Sequence, residues 1–157
     1  MTLHHSPFLG RYLPYLLRKA DQTLSAPFYA VLTRSGVARS DWRVLAVLQE
    51  LGQLRVAELA TAALSPQPTV THALHRLEKR GLVLRTVSTE DRRERVVSLT
   101  PNGLLLTATL IDEAVRLEEE ALAGAGDLTE LVSWLREITV FLESDAPTVV
   151  GDEARAG

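Results

Sequence analysis

The segment TEDRRER, residues 89–95, packs three guanidinium groups and three carboxylates into a short stretch. A guanidinium is planar, permanently charged and donates in a fork that matches phosphate. Several at one point can follow a phosphate chain or enter a narrow minor groove, where negative potential is strongest. A second group lies upstream: Thr69, Thr71, His72, His75, Arg76 and Lys79, with Gln67 and Pro68 just ahead of them. All but the proline are donors with reach. His72 and His75 are one helical turn apart and could offer two imidazoles to a metal. No third ligand stands near them in sequence, so they read as polar contacts, and a metal-responsive protein is kept as an alternative.

Charge supports a polyanion-facing middle. The net charge is −3, yet residues 72–100 hold seven Lys/Arg against four Asp/Glu, and residues 101–157 hold three against twelve. Such asymmetry marks a basic face followed by an acidic tail. Without cysteine, thiolate zinc sites, catalytic thiols and thiol redox switches are excluded. No Ser/His/Asp constellation, phosphate-cradling glycine loop or metal-ligand cluster stands out, so neither catalysis nor a cofactor is expected. The apolar runs are short and broken by charge, which predicts a soluble, cytoplasmic protein without a membrane partner.

The elements that position these groups are mostly helical. Apolar residues recur at helical spacing over 8–33, with Pro14 and Pro27 predicting a kink or a break. Ser40 is the expected N-cap of a helix ended by Gly52, and VAELATAAL is another, with Leu59 and Ala60 inward. After the turn SPQP, Val70, Ala73, Leu74 and Leu77 mark the buried face of a helix over 68–80 that stops at Gly81. The donors fall on its opposite face. LVLRTVS and RVVSLT then read as a hairpin with TEDRRE at its tip, and Thr100 and Pro101 open a long helix to about Gly124. A last helix, 127–144, aligns Leu128, Leu131, Leu135, Ile138 and Leu142, and residues 145–157 read as a frayed tail.

Helix, helix, turn, helix, hairpin over 40–100 is the order of a winged helix-turn-helix within a single domain, 1–157. The flanking helices, 8–35 and 101–144, carry more apolar surface than a winged unit can cover. Dimerisation through Leu13, Leu16, Leu135, Ile138 and Leu142 is the economical reading, and would space two recognition helices about one DNA turn apart, roughly 34 Å.

The stretches RVAELATAALSPQPTVTHALHRLEKRGLVLRT and EDRRERVVSLTPNG resemble the multiple antibiotic resistance regulator (MarR) family of bacterial transcription factors. The likeness runs from SDWRVL to LTPNG, with weaker agreement in the flanks. The resemblance implies a mainly α fold with a β-hairpin wing, and a homodimer on a pseudo-palindromic double-stranded operator, repressing nearby genes until a small ligand releases it. By position, Arg93 matches the wing arginine that enters the minor groove and Asp91 its orienting acid. Arg92 and Arg95 are further candidates for phosphate contact. Gln67, Pro68, Thr69, Thr71, His72, His75 and Arg76 occupy the recognition helix. The family also implies a pocket for a small aromatic or anionic effector, for which Tyr12, Tyr15, Arg18, Trp42 and Arg43 are candidate lining. A winged protein–protein module that has lost DNA binding is the other alternative, against which the arginine cluster argues.

Overall fold

The computed structural model describes residues 8–88 and 95–144. Among these the order is α1 (Leu13–Arg34), α2 (Arg39–Leu51), β1 (Leu54–Arg55), α3 (Val56–Ala62), α4 (Gln67–Lys79), β2 (Val83–Val87), β3 (Arg95–Leu99), α5 (Pro101–Leu122) and α6 (Thr129–Ser144). The chain divides into two compact units, Met1–Ala121 and Leu122–Gly157. The expected class, mainly helical with a small β wing, is the one observed. Asp91, Arg92 and Arg93 at the wing tip, and the tail over 145–157, lie outside the described residues.

α1 is one element. Pro14 falls in its first turn, where the missing N–H is no loss, and the helix continues through Pro27. Only its C-terminal half is anchored, through the buried Phe28 and Leu32. α2 begins at Arg39 with Ala38 as N-cap, so Ser40 is not the cap that the sequence suggested. Its hydroxyl has another partner, described below. Gly52, at φ 78°, ends the helix in the left-handed region that glycine adopts without strain.

The buried stripe of α4 is the expected one: Val70, Ala73, Leu74 and Leu77 have almost no exposure. They meet Leu45 and Leu48 of α2, Leu59 of α3 and Val97 of β3 in one core, to which α1 adds Leu32 and α5 adds Leu110. Burying side chains of this size contributes about 1.5–3 kcal/mol each. That stripe therefore settles which face of α4 remains outside.

β1 was not among the expected elements, because two residues leave no alternation to read. It pairs antiparallel with β3, Leu54 opposite Val97, and turns the hairpin into a three-stranded sheet of order β1-β3-β2. Between β2 and β3 the register runs from Val83 opposite Leu99 to Val87 opposite Arg95. The wing is thus rooted on both sides, and Arg85 of β2 pairs with Glu78 of α4 at 3.2 Å.

A tight junction joins the wing to α5. Thr100 caps the helix as expected, its Oγ1 accepting the Gly103 N–H at 3.0 Å. The same hydroxyl donates to the Gly81 carbonyl at 2.6 Å, and the Thr100 N–H donates to the Leu82 carbonyl at 3.0 Å. A Cβ on Gly103 would sit 2.0 Å from the Leu82 oxygen, so only glycine lets α5 start against the end of α4.

In the second unit, Asp127 accepts the Thr129 N–H at 2.9 Å and its hydroxyl at 2.6 Å, which caps α6 and holds the Asp127 carboxyl below its ordinary pKa. No α6 side chain is fully buried. Leu135 and Ile138 are half-buried, whereas Leu131 and Leu142 are exposed. In the first unit Leu13 and Leu16 are exposed too. No helix among the described residues is long and apolar enough to cross a membrane.

Gly103→Ala should lose about 2 kcal/mol of stability, since the added methyl meets backbone that cannot rotate away. Urea denaturation followed by circular dichroism checks this; an unchanged midpoint would mean that the junction is not tightly packed.

Candidate nucleic-acid interface

The exposed face of α4 is built by exclusion. With one stripe committed to the core, Gln67, Pro68, Thr69, Thr71, His72, His75 and Lys79 all project outward. The N-terminal turn contains no acidic residue, and Arg76 and Lys79 occupy the last turns. The result is a ridge of short donors at one end and cations at the other, about 20 Å long for a helix of 13 residues. A ridge of that form fits a major groove about 12 Å wide. Among the described residues no group of three His, Cys, Asp or Glu side chains sits close enough to hold a metal ion.

Arg76 departs from the expected role of a free donor. Its Nη2 donates to Asp41 Oδ1 and, at 3.0 Å, to Ser40 Oγ, while Nε reaches Asp41 Oδ2 at 3.4 Å. Asp41 is only 3% exposed and Arg76 about half exposed. The hydrogen bond to Asp41 raises the Arg76 pKa from its ordinary value, against the opposing effect of burial. Ser40 and Asp41, in the first turn of α2, thus hold the C-terminal part of α4. Sequence reasoning placed Arg76 correctly on the helix and missed its partner, because nothing local signals a pair 35 residues apart.

Two more cations of the basic middle are engaged within the protein. Arg80 Nη1 donates to the Gly36 carbonyl at 2.7 Å, tying the end of α4 to the α1–α2 connection. Arg85 is the partner of Glu78. Lys79 and Arg95 make no ion pair among the described residues, and Arg95 stands exposed at the first position of β3, where the wing leaves the sheet. Raw charge therefore overstates the unpaired cationic surface of the described part of this segment. Within residues 72–100, Lys79 on α4 and Arg95 at the start of β3 are exposed cations without an ion pair among the described residues.

The expected effector lining is not assembled as a set. Tyr15 and Arg18 are exposed on the N-terminal half of α1, and Tyr12, its N-cap residue, is exposed too and stacks on Phe8 at 4.8 Å. Trp42 does line a cavity of about 240 Å³, together with Leu24, Ser25 and Phe28 of α1 and residues of α5 from Ile111 to Glu118. Arg43 lines a second concavity beside Asp21, and Trp42 lines that one too. The α5 lining went unpredicted, although its apolar spacing, Ile111, Ala114, Val115 and Leu117, was visible in the sequence.

A helix seated on a winged three-stranded sheet, offering one donor-rich ridge, defines a winged helix-turn-helix DNA-binding protein. The sequence model of the MarR family matches residues 37–95. The homoprotocatechuate degradative operon repressor of Escherichia coli is 30% identical over 143 residues, covering 89% of this chain and 96% of the relative. A MarR family transcriptional regulator of Silicibacter pomeroyi DSS-3 superposes with a TM-score of 0.76 at 30% identity, over 87% of this chain and 99% of the other. NadR, solved in complex with 4-hydroxyphenylacetate, gives 0.70 at 27% identity, over 90% and 95%. The chain belongs to the MarR family and is a DNA-binding transcriptional regulator.

Removing Arg76 strands a buried carboxylate. Arg76→Ala should therefore cost about 2 kcal/mol, below the full penalty for a buried pair because the guanidinium side is half wet. His72→Ala on the same ridge should stay within about 0.5 kcal/mol. Chemical denaturation of the two variants compares them directly; equal midpoints would show that the Asp41 contact carries no stability.

Proposed function

We propose that this regulator is a ligand-responsive homodimeric repressor acting in the cytoplasm, with α4 in the major groove of a pseudo-palindromic operator and the 89–95 wing in the adjacent minor groove. The observation that carries the reading is the division of α4 into a fully buried stripe and a wholly outward ridge of Gln67, Thr69, Thr71, His72 and His75. Imidazole, amide and hydroxyl groups at those positions read base edges, and Arg92, Arg93 and Arg95 supply the wing, with Asp91 orienting Arg93. Phosphate contacts dominate affinity, and the ridge sets sequence preference.

The uncovered apolar surface supports a dimer. Leu13 and Leu16 in α1, and Leu142 with Phe141 in α6, remain exposed in the single chain, and a second copy is the economical cover. The cavity beside Trp42 supports an effector site, and NadR, the relative in complex with 4-hydroxyphenylacetate, supports a small aromatic ligand for it. A ligand that prefers a dimer with wrongly spaced recognition helices lowers operator affinity by its differential affinity for the two states.

Fluorescence-anisotropy titration against the intergenic DNA beside the gene, with a scrambled duplex as control, tests the reading. Arg93→Ala should weaken binding to both duplexes and reduce the salt slope by about one, whereas His72→Ala should narrow the preference for the native duplex. Leu142→Glu should convert a sedimenting dimer toward monomer and weaken operator binding with it. Equal affinity of Arg93→Ala and parent would remove the wing assignment, and a monomeric parent that still prefers its operator would remove the dimer.

A further inference from the structure

The cavity in the first unit has a chemistry of its own. Its walls are Leu24, Phe28, Trp42, Ile111, Ala114, Val115 and Leu117, and among the described residues its polar side chains besides the indole are Ser25 and Glu118. Phe28 and Trp42 meet edge to face at 4.9 Å, so two aromatic rings form one side. At about 240 Å³ the space exceeds the roughly 150 Å³ that accepts a benzene and falls short of the roughly 300–1,000 Å³ typical of drug-sized ligands. One ring with a short side chain is what it can hold.

The polar groups select the sign of that side chain. Ser25 Oγ donates its proton to Asp21 Oδ1 at 3.1 Å, which leaves its oxygen facing a ligand as an acceptor. Glu118 is an acceptor when ionised, and among the described residues no lysine, arginine or histidine lines the cavity. The nearest turns of α5 add Asp112, Glu113, Glu119 and Glu120 against one cation, Arg116. Arg116 is already shared between Glu113 at 2.8 Å and Glu120 at 2.6 Å. Arg34 of α1 acts on Glu113, so a ligand carboxylate would find no counter-charge among the described lining residues. An ammonium would find a carboxylate, a hydroxyl oxygen and the faces of aromatic rings, which attract cations.

We infer that the cavity takes a small aromatic cation, a single ring bearing a protonated amine on a short chain, and discriminates against arene carboxylates such as the one held by NadR. The inference rests on reading this cavity as the effector site, and it separates this regulator from that relative by the charge of what each senses. Glu118 is the specificity-determining residue: it marks the amine end, while Phe28 and Trp42 hold the ring.

Three probes that share a ring and differ in one terminal group decide the matter: 4-hydroxyphenethylamine, 4-hydroxyphenethyl alcohol and 4-hydroxyphenylacetate. Binding to the full chain is followed by calorimetry and by tryptophan fluorescence, in a Trp134→Phe background so that Trp42 alone reports. The amine should bind at least tenfold more tightly than the acid, with the alcohol between them. Glu118→Gln should bring amine and alcohol within about threefold of each other without changing the affinity for the alcohol. Acid binding as tight as amine, an unchanged ranking in Glu118→Gln, or no binding of the amine at millimolar concentration would each overturn the inference. Operator binding of the same unliganded sample is measured in parallel. Loss of the ligand ranking alone leaves the DNA-binding reading standing, and a sample that fails on the operator sinks that reading instead.

Discussion

A carboxylate that is 3% exposed must have a partner, and in this protein the partner of Asp41 is Arg76. The requirement reaches far because the two residues belong to different halves of the helix-turn-helix. Asp41 stands in the first turn of α2, and Arg76 stands near the end of α4, just past the two histidines of the outward ridge. Hydrophobic burial of Val70, Ala73, Leu74 and Leu77 presses α4 onto the core but is forgiving of small rotations and slides, since it has no direction. The forked contact to Asp41 and Ser40 has direction. It restrains the roll of the helix, and so the angle at which Thr69, His72 and His75 project outward.

The same economy governs the wing. Gly103 lets α5 begin in contact with the Leu82 carbonyl, Thr100 stitches that start to Gly81 and Leu82, and Arg85 ties β2 to Glu78. The strands of the hairpin are therefore tied to α4 and the residues just after it by the Arg85–Glu78 pair and the Gly81–Thr100 contact. Trp42, which walls the cavity proposed for the effector, directly follows Asp41 in α2. A ligand that shifts Trp42 acts one residue from the contact that orients α4, which gives population shift a short physical route.

The fold was legible where a repeat distance carries it. The i, i+3, i+4 spacing of Val70, Ala73, Leu74 and Leu77 identified both faces of α4, and the β-prone runs identified the wing strands. What escaped were pairings without local signature. β1 is two residues long, Ser40 looks like a cap and is used as an acceptor for Arg76, and Asp41 looks like any acid in a first turn. Tyr12, Tyr15 and Arg18 carry suitable chemistry for a ligand and are exposed. Wing-tip roles for Asp91 and Arg93 came from family resemblance and not from any periodicity.

The most direct test of this account is the operator preference of Asp41→Asn, measured by anisotropy on native and scrambled duplexes over a range of salt. If Arg76 acts by orienting α4, loosening its seat should narrow the ratio of the two affinities several-fold and leave the salt slope unchanged. If Arg76 is instead a phosphate contact restrained by Asp41, the variant should bind both duplexes at least as tightly as the parent, with a steeper salt slope, and the account of how α4 is positioned would be wrong.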